Sequence, residues 1–375
     1  MKIDRRHFLR NSLVAGALAM GGGAILASCG GIHRADLPAS NRKPEAIREL
    51  DQTGFAILQY AAMAPSGHNS QPWTVKVVNS REWIIGVDPA RRLPAVDPNS
   101  REAILSIGAF AENLSLAAGA YGLRAEMDVV ATGFFDQDIL RVKLRKASET
   151  GYPLERMTLR RTVKHNYLRR EIKSRDVSAL AKHLDGHLIY FSADSEHGKC
   201  IQEGAVENFR KQALRDDAQE ELVKWLRLGN AQARQFRDGL TTEGMEITGI
   251  KGLFVRNFVS PDDFLKADYR QQGVDLTAEL ASQGGGWLII TSRGEAVADL
   301  IETGRCFERM ALTARERMIA LHPMTQTLEE KAGQKEIAEN HHSGIIPQFI
   351  LRVGYLGTYP DPVSLRRPVE WFVRA

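Results

Sequence analysis

A short polar loop between two prolines constrains the fold of this 375-residue chain more than any other feature. Pro65 and Gly67 end a preceding amphipathic helix, and Pro72 keeps its neighbour extended before a strand predicted over 74–78. The loop between these breaks carries three small polar side chains: Ser66, Asn69 and Gln71. Their hydroxyl and amide groups donate and accept hydrogen bonds, which suits the edge of a flat heterocycle such as a flavin. An ordinary helix-to-strand loop explains the same residues.

The whole segment Ala64–Trp73 resembles a family motif. It contains every fixed position of the Pro-Ser-x-x-Asn-x-Gln-Pro-Trp segment of the nitroreductase family of FMN enzymes. The resemblance implies an FMN cofactor, with Ser66, Asn69 and Gln71 holding the flavin ring.

A basic segment, Arg160–Tyr167, is the second informative stretch. In an extended chain Arg160, Thr162 and Lys164 project to the same side. A guanidinium and a hydroxyl can hold a phosphate dianion, and a cation at Lys164 could lie near a ring carbonyl, where it would stabilise the reduced flavin. A basic cluster is also typical of a solvated surface.

The basic segment resembles the Arg-x-Ser-x-Lys/Arg element that opens a nitroreductase subunit, with Thr162 in the Ser position. It also resembles the Arg-Arg-Thr element of the Acg-like branch, although Lys164 replaces the Arg of many members. The tail, with Gly354–Gly357 and Ser364–Pro368, is similar to the end of that branch. The resemblance implies that Arg160, Thr162 and either Arg366 or Arg367 hold the phosphate.

Helix and strand patterns describe two similar passages, and strands mixed with long helices indicate an α+β fold. The first passage has helices at about 44–64 and after Asn99, the predicted N-cap, and strands at 74–78, 83–87, 125–130 and 139–144. Small residues in the helix after Asn99 predict close packing against another helix. The second passage has helices at about 176–184, 197–228 and 296–321, and strands at 286–291 and 348–354.

Each passage keeps only part of the site that an ordinary nitroreductase subunit carries. The first has the polar loop without a convincing Arg-x-Ser/Thr-x-Lys element before it, and the second has the Arg160 element without the loop. The resemblance therefore implies a nitroreductase-like fused pseudo-dimer, monomeric and with one complete FMN site. Its predicted halves are residues 44–150 and 151–375.

An insert at about 241–263 interrupts the second half. It is punctuated by Gly244, Gly249 and Gly252 and carries Phe254 and Phe258. Such a segment can act as a lid over a site, or it can be a surface loop with a few buried anchors.

The N-terminus predicts export. Arg5 and Arg6 precede a short, glycine-rich apolar stretch, which is typical of a twin-arginine (Tat) signal covering residues 1–28. The sequence Leu26–Gly30 resembles a bacterial lipoprotein cleavage box, so Cys29 is the predicted lipidation site, followed by a linker to residue 43. Lipidation predicts a periplasmic or cell-envelope protein anchored to a membrane. Cleavage by ordinary signal peptidase is the alternative.

Composition excludes several other classes of protein. Four basic residues and one acidic residue of the predicted signal account for +3 of the net charge of +4, so charge does not indicate a nucleic-acid partner. Besides Cys29 there are two cysteines, Cys200 and Cys306, too few for a disulfide framework. The adjacent His341 and His342 have no obvious carboxylate partner, which predicts a solvated loop rather than a metal site.

The predicted function is an FMN-dependent oxidoreductase that passes electrons from a small-molecule donor through flavin N5 to a nitroaromatic or quinone-like acceptor. It needs no side-chain acid or base, because the flavin carries the chemistry. A low-turnover protein that stores or sequesters FMN is the alternative, since a lid over the ring would exclude substrate.

Overall fold

The computed structural model describes residues 30–37, 49–341 and 344–374. The predicted signal peptide, Cys29, the second part of the linker (residues 38–43) and His342 lie outside these residues. The α-helices are α1 (Gln52–Ala61), α2 (Arg101–Ala120), α3 (Glu155–Leu159), α4 (Ser174–Ala181), α5 (Glu196–Leu214), α6 (Asp216–Trp225), α7 (Asn230–Phe236), α8 (Gly249–Phe258), α9 (Ala267–Ala281), α10 (Val297–Glu316), α11 (Gln326–Glu329) and α12 (Lys331–Asn340). The strands are β1 (Trp73–Asn79), β2 (Glu82–Val87), β3 (Leu123–Val129), β4 (Asp138–Lys146), β5 (Leu188–Ser192), β6 (Leu226–Arg227), β7 (Leu240–Thr241), β8 (Gly286–Thr291), β9 (Ile319–Pro323), β10 (Pro347–Tyr355) and β11 (Val373–Arg374).

Beside the short parallel pair β6–β7, the described residues form two larger sheets, and these two are built on the same plan. The first has the order β11-β1-β2-β4-β3 and the second the order β5-β8-β10-β9. Within each sheet the neighbouring strands are antiparallel, apart from the parallel pair β1–β11. Four strands of each sheet therefore follow the same order, with a long helix, α2 or α10, between the second and third of them.

The predicted close packing of the first long helix is confirmed. A Cβ atom at Gly108 of α2 would lie 2.3 Å from the carbonyl oxygen of Ile301 in α10, and one at Gly304 would lie 2.1 Å from that of Leu105. Only glycine permits this approach of the two backbones. Helix α2 is also long and apolar enough to cross a membrane, but most of it is buried in the core, which accounts for its composition.

The second sheet is covered on both faces. Leu288 and Ile290 of β8 pack with α10 residues such as Phe307, while the alternate residues Trp287 and Ile289 pack on the other face, towards α5, α9 and α12. This double burial explains why β8 reads as a continuous apolar run.

The predicted helix at 197–228 is wrong in its middle. Arg215 has an extended backbone and separates α5 from α6. Its guanidinium is 2.7 Å from Glu330 and 2.5 Å from the carbonyl oxygen of Ala95. These contacts to distant parts of the chain hold the break, and the local pattern contains no sign of them.

The predicted helix at 296–321 is also too long, because α10 ends at Glu316. Met318 has a φ of 57°, and residues from Ile319 onward pair with β10 instead. At the start of α2, Ser100 rather than Asn99 is the N-cap. Strand β5 and helices α8, α9 and α12 are among the further elements that the sequence patterns did not predict.

Candidate functional site

The polar loop between α1 and β1 is a strained turn. His68, Asn69 and Gln71 have φ values of 48°, 51° and 51°, a left-handed conformation that non-glycine residues rarely adopt. The hydroxyl oxygen of Ser66 accepts a hydrogen bond of 2.9 Å from the backbone N–H of Gln71, which closes the turn. The loop therefore presents its side chains in fixed directions, and clustered strain of this kind is typical of functional sites.

The amide groups of the polar loop bond to protein. Asn69 accepts from the Arg366 guanidinium at 3.1 Å and donates to the carbonyl oxygen of Gly239 at 3.2 Å. Gln71 is fully buried. It accepts a hydrogen bond of 2.8 Å from the backbone N–H of Arg367 and donates one of 2.9 Å to the carbonyl oxygen of Arg237. These bonds fasten the C-terminal segment and the residues just before the insert onto the loop.

Beside the loop lies an arginine cluster, formed by Arg34, Arg160 and Arg366. The guanidinium groups of Arg160 and Arg366 donate to the same carbonyl oxygen, that of Met63, at 3.2 and 3.0 Å. Arg34 contacts the Met63 sulfur atom at 3.2 Å. Three distant segments of the chain thus bring their cations to the end of α1.

Positive charge is in excess in the arginine cluster. The nearest carboxylate is that of the fully buried Glu308 on α10, 3.2 Å from the Arg160 Nε atom. Burial, together with the neighbouring Arg160, lowers the pKa of Arg34 to about 10, and burial with repulsion from Arg34 and Arg160 lowers the pKa of Arg366 well below its usual range. Burial raises the pKa of Glu308. An added anion would relieve this imbalance.

The donors of the arginine cluster fit a phosphate group. The Nε atom of Arg366 is buried and has no hydrogen-bond acceptor among the described residues. Phosphate oxygens are acceptors that guanidinium groups bind well. By contrast, the Asn69 and Gln71 amides already have protein partners, so this region favours binding of a phosphate group over hydrogen bonds to a flavin ring.

Thr162 and Lys164 follow Arg160, and both are half-buried. Burial lowers the pKa of Lys164. Burial and, secondarily, the Lys164 cation lower the pKa of His68 to about 4, which keeps this histidine neutral at physiological pH. The basic segment and the polar loop, predicted to share one site, therefore do come together in space.

The insert is pinned to the basic segment by one carboxylate. Glu246 accepts from the backbone N–H groups of Lys164 and His165 at 3.1 and 3.0 Å, and from the Arg161 guanidinium at 2.5 Å. The His165 ring is 2.9 Å away. The insert thus covers the segment that carries Arg160, Thr162 and Lys164.

The two candidate arginines of the tail have different surroundings. Arg366 belongs to the arginine cluster, whereas Arg367 donates to the carbonyl oxygens of Gln71 at 2.9 Å and Trp371 at 2.7 Å. Arg367 therefore holds the tail in place. The sequence reading missed Arg34, Glu308 and Glu246, because nothing in their local sequence marks them.

Comparison with known proteins adds little to this geometry. No protein-family model matches the chain, and no curated protein is significantly similar to it. Among solved structures, a nitroreductase-like family protein from Bacillus cereus is similar to it. The match covers 59% of this chain and 94% of that one, at 9% identity and a TM-score of 0.33.

Proposed function

We propose that this chain binds one FMN and acts as an FMN-dependent oxidoreductase of the nitroreductase type. The observation that supports the proposal best is the arginine cluster, where Arg160 and Arg366 meet beside the polar loop with more positive charge than one carboxylate balances. Arg160, Thr162 and Arg366 would hold the phosphate. Lys164, near His68, would supply a cation to the ring.

The shared strand order of the two sheets supports the further proposal of a fused pseudo-dimer. In such a molecule one half, residues 44–150, supplies the polar loop, and the other, residues 151–375, supplies the basic segment and the tail. The site then lies between the halves of one chain, so the protein would bind one FMN as a monomer.

When bound, FMN supplies electron transfer to an electron-poor acceptor such as a nitroaromatic or a quinone. The chain itself would bind and orient the flavin. Ser66 closes the strained turn, Asn69 positions Arg366, and Gln71 fixes the tail through Arg367. The cation of Lys164 would favour negative charge on a neighbouring ring carbonyl.

Storage of FMN is the second candidate function, and the Glu246 contacts favour it. An insert bonded to the backbone of Lys164 and His165 would restrict access of a substrate to the ring. Such a protein would bind flavin tightly and turn over slowly.

Anaerobic titration of the purified protein separates these functions. We expect one flavin per chain by absorbance and a monomer by light scattering. Flavin reduction by NAD(P)H and reoxidation by a nitroaromatic or quinone would support the oxidoreductase. Reduction by dithionite alone, with slow reoxidation by every acceptor, would support storage, and the absence of flavin binding would refute both.

We further propose that Tat export and lipidation of Cys29 anchor the protein to a membrane in the cell envelope. Gly31 packs against Glu243 of the insert, and Glu243 pairs with Arg256 of α8 at 2.5 Å. Helix α8 exposes Ile250, Phe254 and Phe258, at 56%, 47% and 74%. An exposed apolar helix face next to the anchor point suits a lipid surface.

Two variants test this attachment. Replacing Arg5 and Arg6 by Lys should leave the protein in the cytoplasm, and Cys29→Ala should release it from the membrane fraction. If wild-type protein is fully soluble in the periplasm, the anchor does not exist.

A further inference from the structure

A second group of reactive side chains lies on the outer face of the second sheet, on α5 and at the end of α12. The Cys200 Sγ atom is 3.4 Å from Oε1 of Glu336, and this oxygen is 3.1 Å from Nε2 of His341. The three potential ligand atoms all lie within 4.8 Å of one another. Beside them, His197 contacts His341.

We propose that Cys200, Glu336 and His341 bind a divalent transition metal of the zinc class. Thiolate, imidazole and carboxylate are the three ligand types of protein zinc sites. Zinc bonds of about 2.0–2.3 Å in a tetrahedron separate neighbouring ligand atoms by roughly 3.3–3.5 Å, close to the distances of 3.4 and 3.1 Å from Glu336 Oε1 to the other two ligand atoms. Cys200 is exposed, so solvent can complete the fourth position.

The surroundings of His341 favour a ligand role. Its side chain is 1% exposed, and its Nδ1 atom lies 2.9 Å from Nδ1 of His197. A metal-bound histidine usually donates its other ring N–H to an acceptor, which fixes the ring. Here the lone pair of His197 Nδ1 would accept from His341 Nδ1–H, leaving Nε2 of His341 for the metal. Without metal, the His341 proton would lie on Nε2 and be donated to Glu336, while His197 Nδ1–H would donate to Nδ1 of His341.

His341 is buried, and it lies beside the exposed His197 and Cys200 of α5. His197 and Cys200 are three residues apart on α5 and so lie on the same side of the helix. The Phe191 ring lies 4.8 Å from the His197 ring and 5.8 Å from the His341 ring, which gives the site an apolar wall. The predicted solvated loop at His341 is therefore wrong. Its carboxylate partner, Glu336, precedes it by five residues on a helix that the sequence reading did not identify.

Cobalt(II) titration tests the proposal on the full chain in a Cys29→Ser background, which removes the N-terminal thiol. We expect a near-ultraviolet thiolate-to-cobalt charge-transfer band and visible d–d bands of four-coordinate cobalt, both displaced by one equivalent of zinc. Difference spectra cancel any bound flavin. The readout is metal binding alone, so it does not depend on the proposed FMN function.

Matched variants locate the site. Cys200→Ser should abolish the charge-transfer band. Cys306 is the other free cysteine of the described residues, and Cys306→Ser should leave the band unchanged. His197→Ala should weaken cobalt binding about ten- to a hundredfold without removing the band. Absence of the band in the Cys29→Ser protein, or its persistence in the Cys200→Ser variant, would overturn the proposal.

Discussion

The arginine cluster and the polar loop are neighbours, yet their hydrogen bonds differ in one decisive respect. In the loop, Asn69 and Gln71 have protein partners for both atoms of each amide. In the cluster, Arg366 keeps a buried Nε donor without an acceptor among the described residues, and three guanidinium groups face one carboxylate. The comparison suggests that the cluster is built for an anion, while the loop is built to hold the cluster together.

The largest expected effect follows from the buried pair of Arg160 and Glu308. Arg160→Met removes the guanidinium that contacts the buried Glu308 carboxylate, which should lower the free energy of unfolding by about 3–5 kcal/mol at pH 8. The double variant Arg160→Met/Glu308→Gln should regain most of the lost stability. Urea unfolding measures both variants. If Arg160→Met alone is harmless, the cluster does not depend on this pair.

The loss of stability in Arg160→Met should depend on pH in a predictable direction. Burial raises the folded-state pKa of Glu308 above its unfolded value, so the folded state binds the proton more tightly. Stability from this group is therefore greatest at low pH and falls as pH rises from about 4.5 through the folded pKa. The Arg160→Met penalty should be smaller at pH 5 than at pH 8, and a larger penalty at pH 5 would contradict the assignment.

Binding of FMN and riboflavin sharpens the comparison further. Arg366→Gln removes a charged donor to the proposed phosphate, which should cost about 1.5–3 kcal/mol and weaken FMN binding about ten- to a hundredfold. Riboflavin has no phosphate, so its weaker binding should hardly change. Arg367→Gln is the matched control, because it should affect both ligands alike. Equal losses for FMN and riboflavin in Arg366→Gln would place the phosphate elsewhere.

A smaller effect is expected in the loop itself. Asn69→Ala removes the acceptor for Arg366 and the donor to Gly239, which should lower the free energy of unfolding by about 1–2 kcal/mol even without flavin. Binding of FMN and binding of riboflavin should weaken by similar factors. Unchanged stability combined with lost flavin binding would mean that Asn69 serves the ring directly.

The smallest effect should come from the insert. Glu246→Gln weakens the contacts to Arg161 and the backbone of the basic segment by about 1 kcal/mol, so release of bound FMN should accelerate about fivefold. Stopped-flow flavin release measures this, and amide hydrogen exchange in 249–258 should also quicken. An unchanged release rate would show that the insert does not control access.

Apolar periodicity and turn residues predicted the helices and strands that the local sequence determines. The strands around Trp83 and Ile289 and the small-residue helix with Gly108 were predicted because apolar periodicity and turn residues mark them. The break at Arg215 and strand β9 were missed, since contacts to distant residues impose them. In the site, motif residues such as Arg160 were identified, whereas Arg34 and Glu308 act only through tertiary proximity.

The parallel pair β1–β11 has a consequence for how the chain acquires its native state. Val75 pairs with Val373, and Asn69 with Arg366 across 297 residues, so these contacts form only after the whole chain between them has been synthesised. Until then β1 is an open sheet edge, a template for misassembly. A chain still attached to the ribosome therefore exposes this edge until its C-terminal residues emerge and β11 pairs with β1.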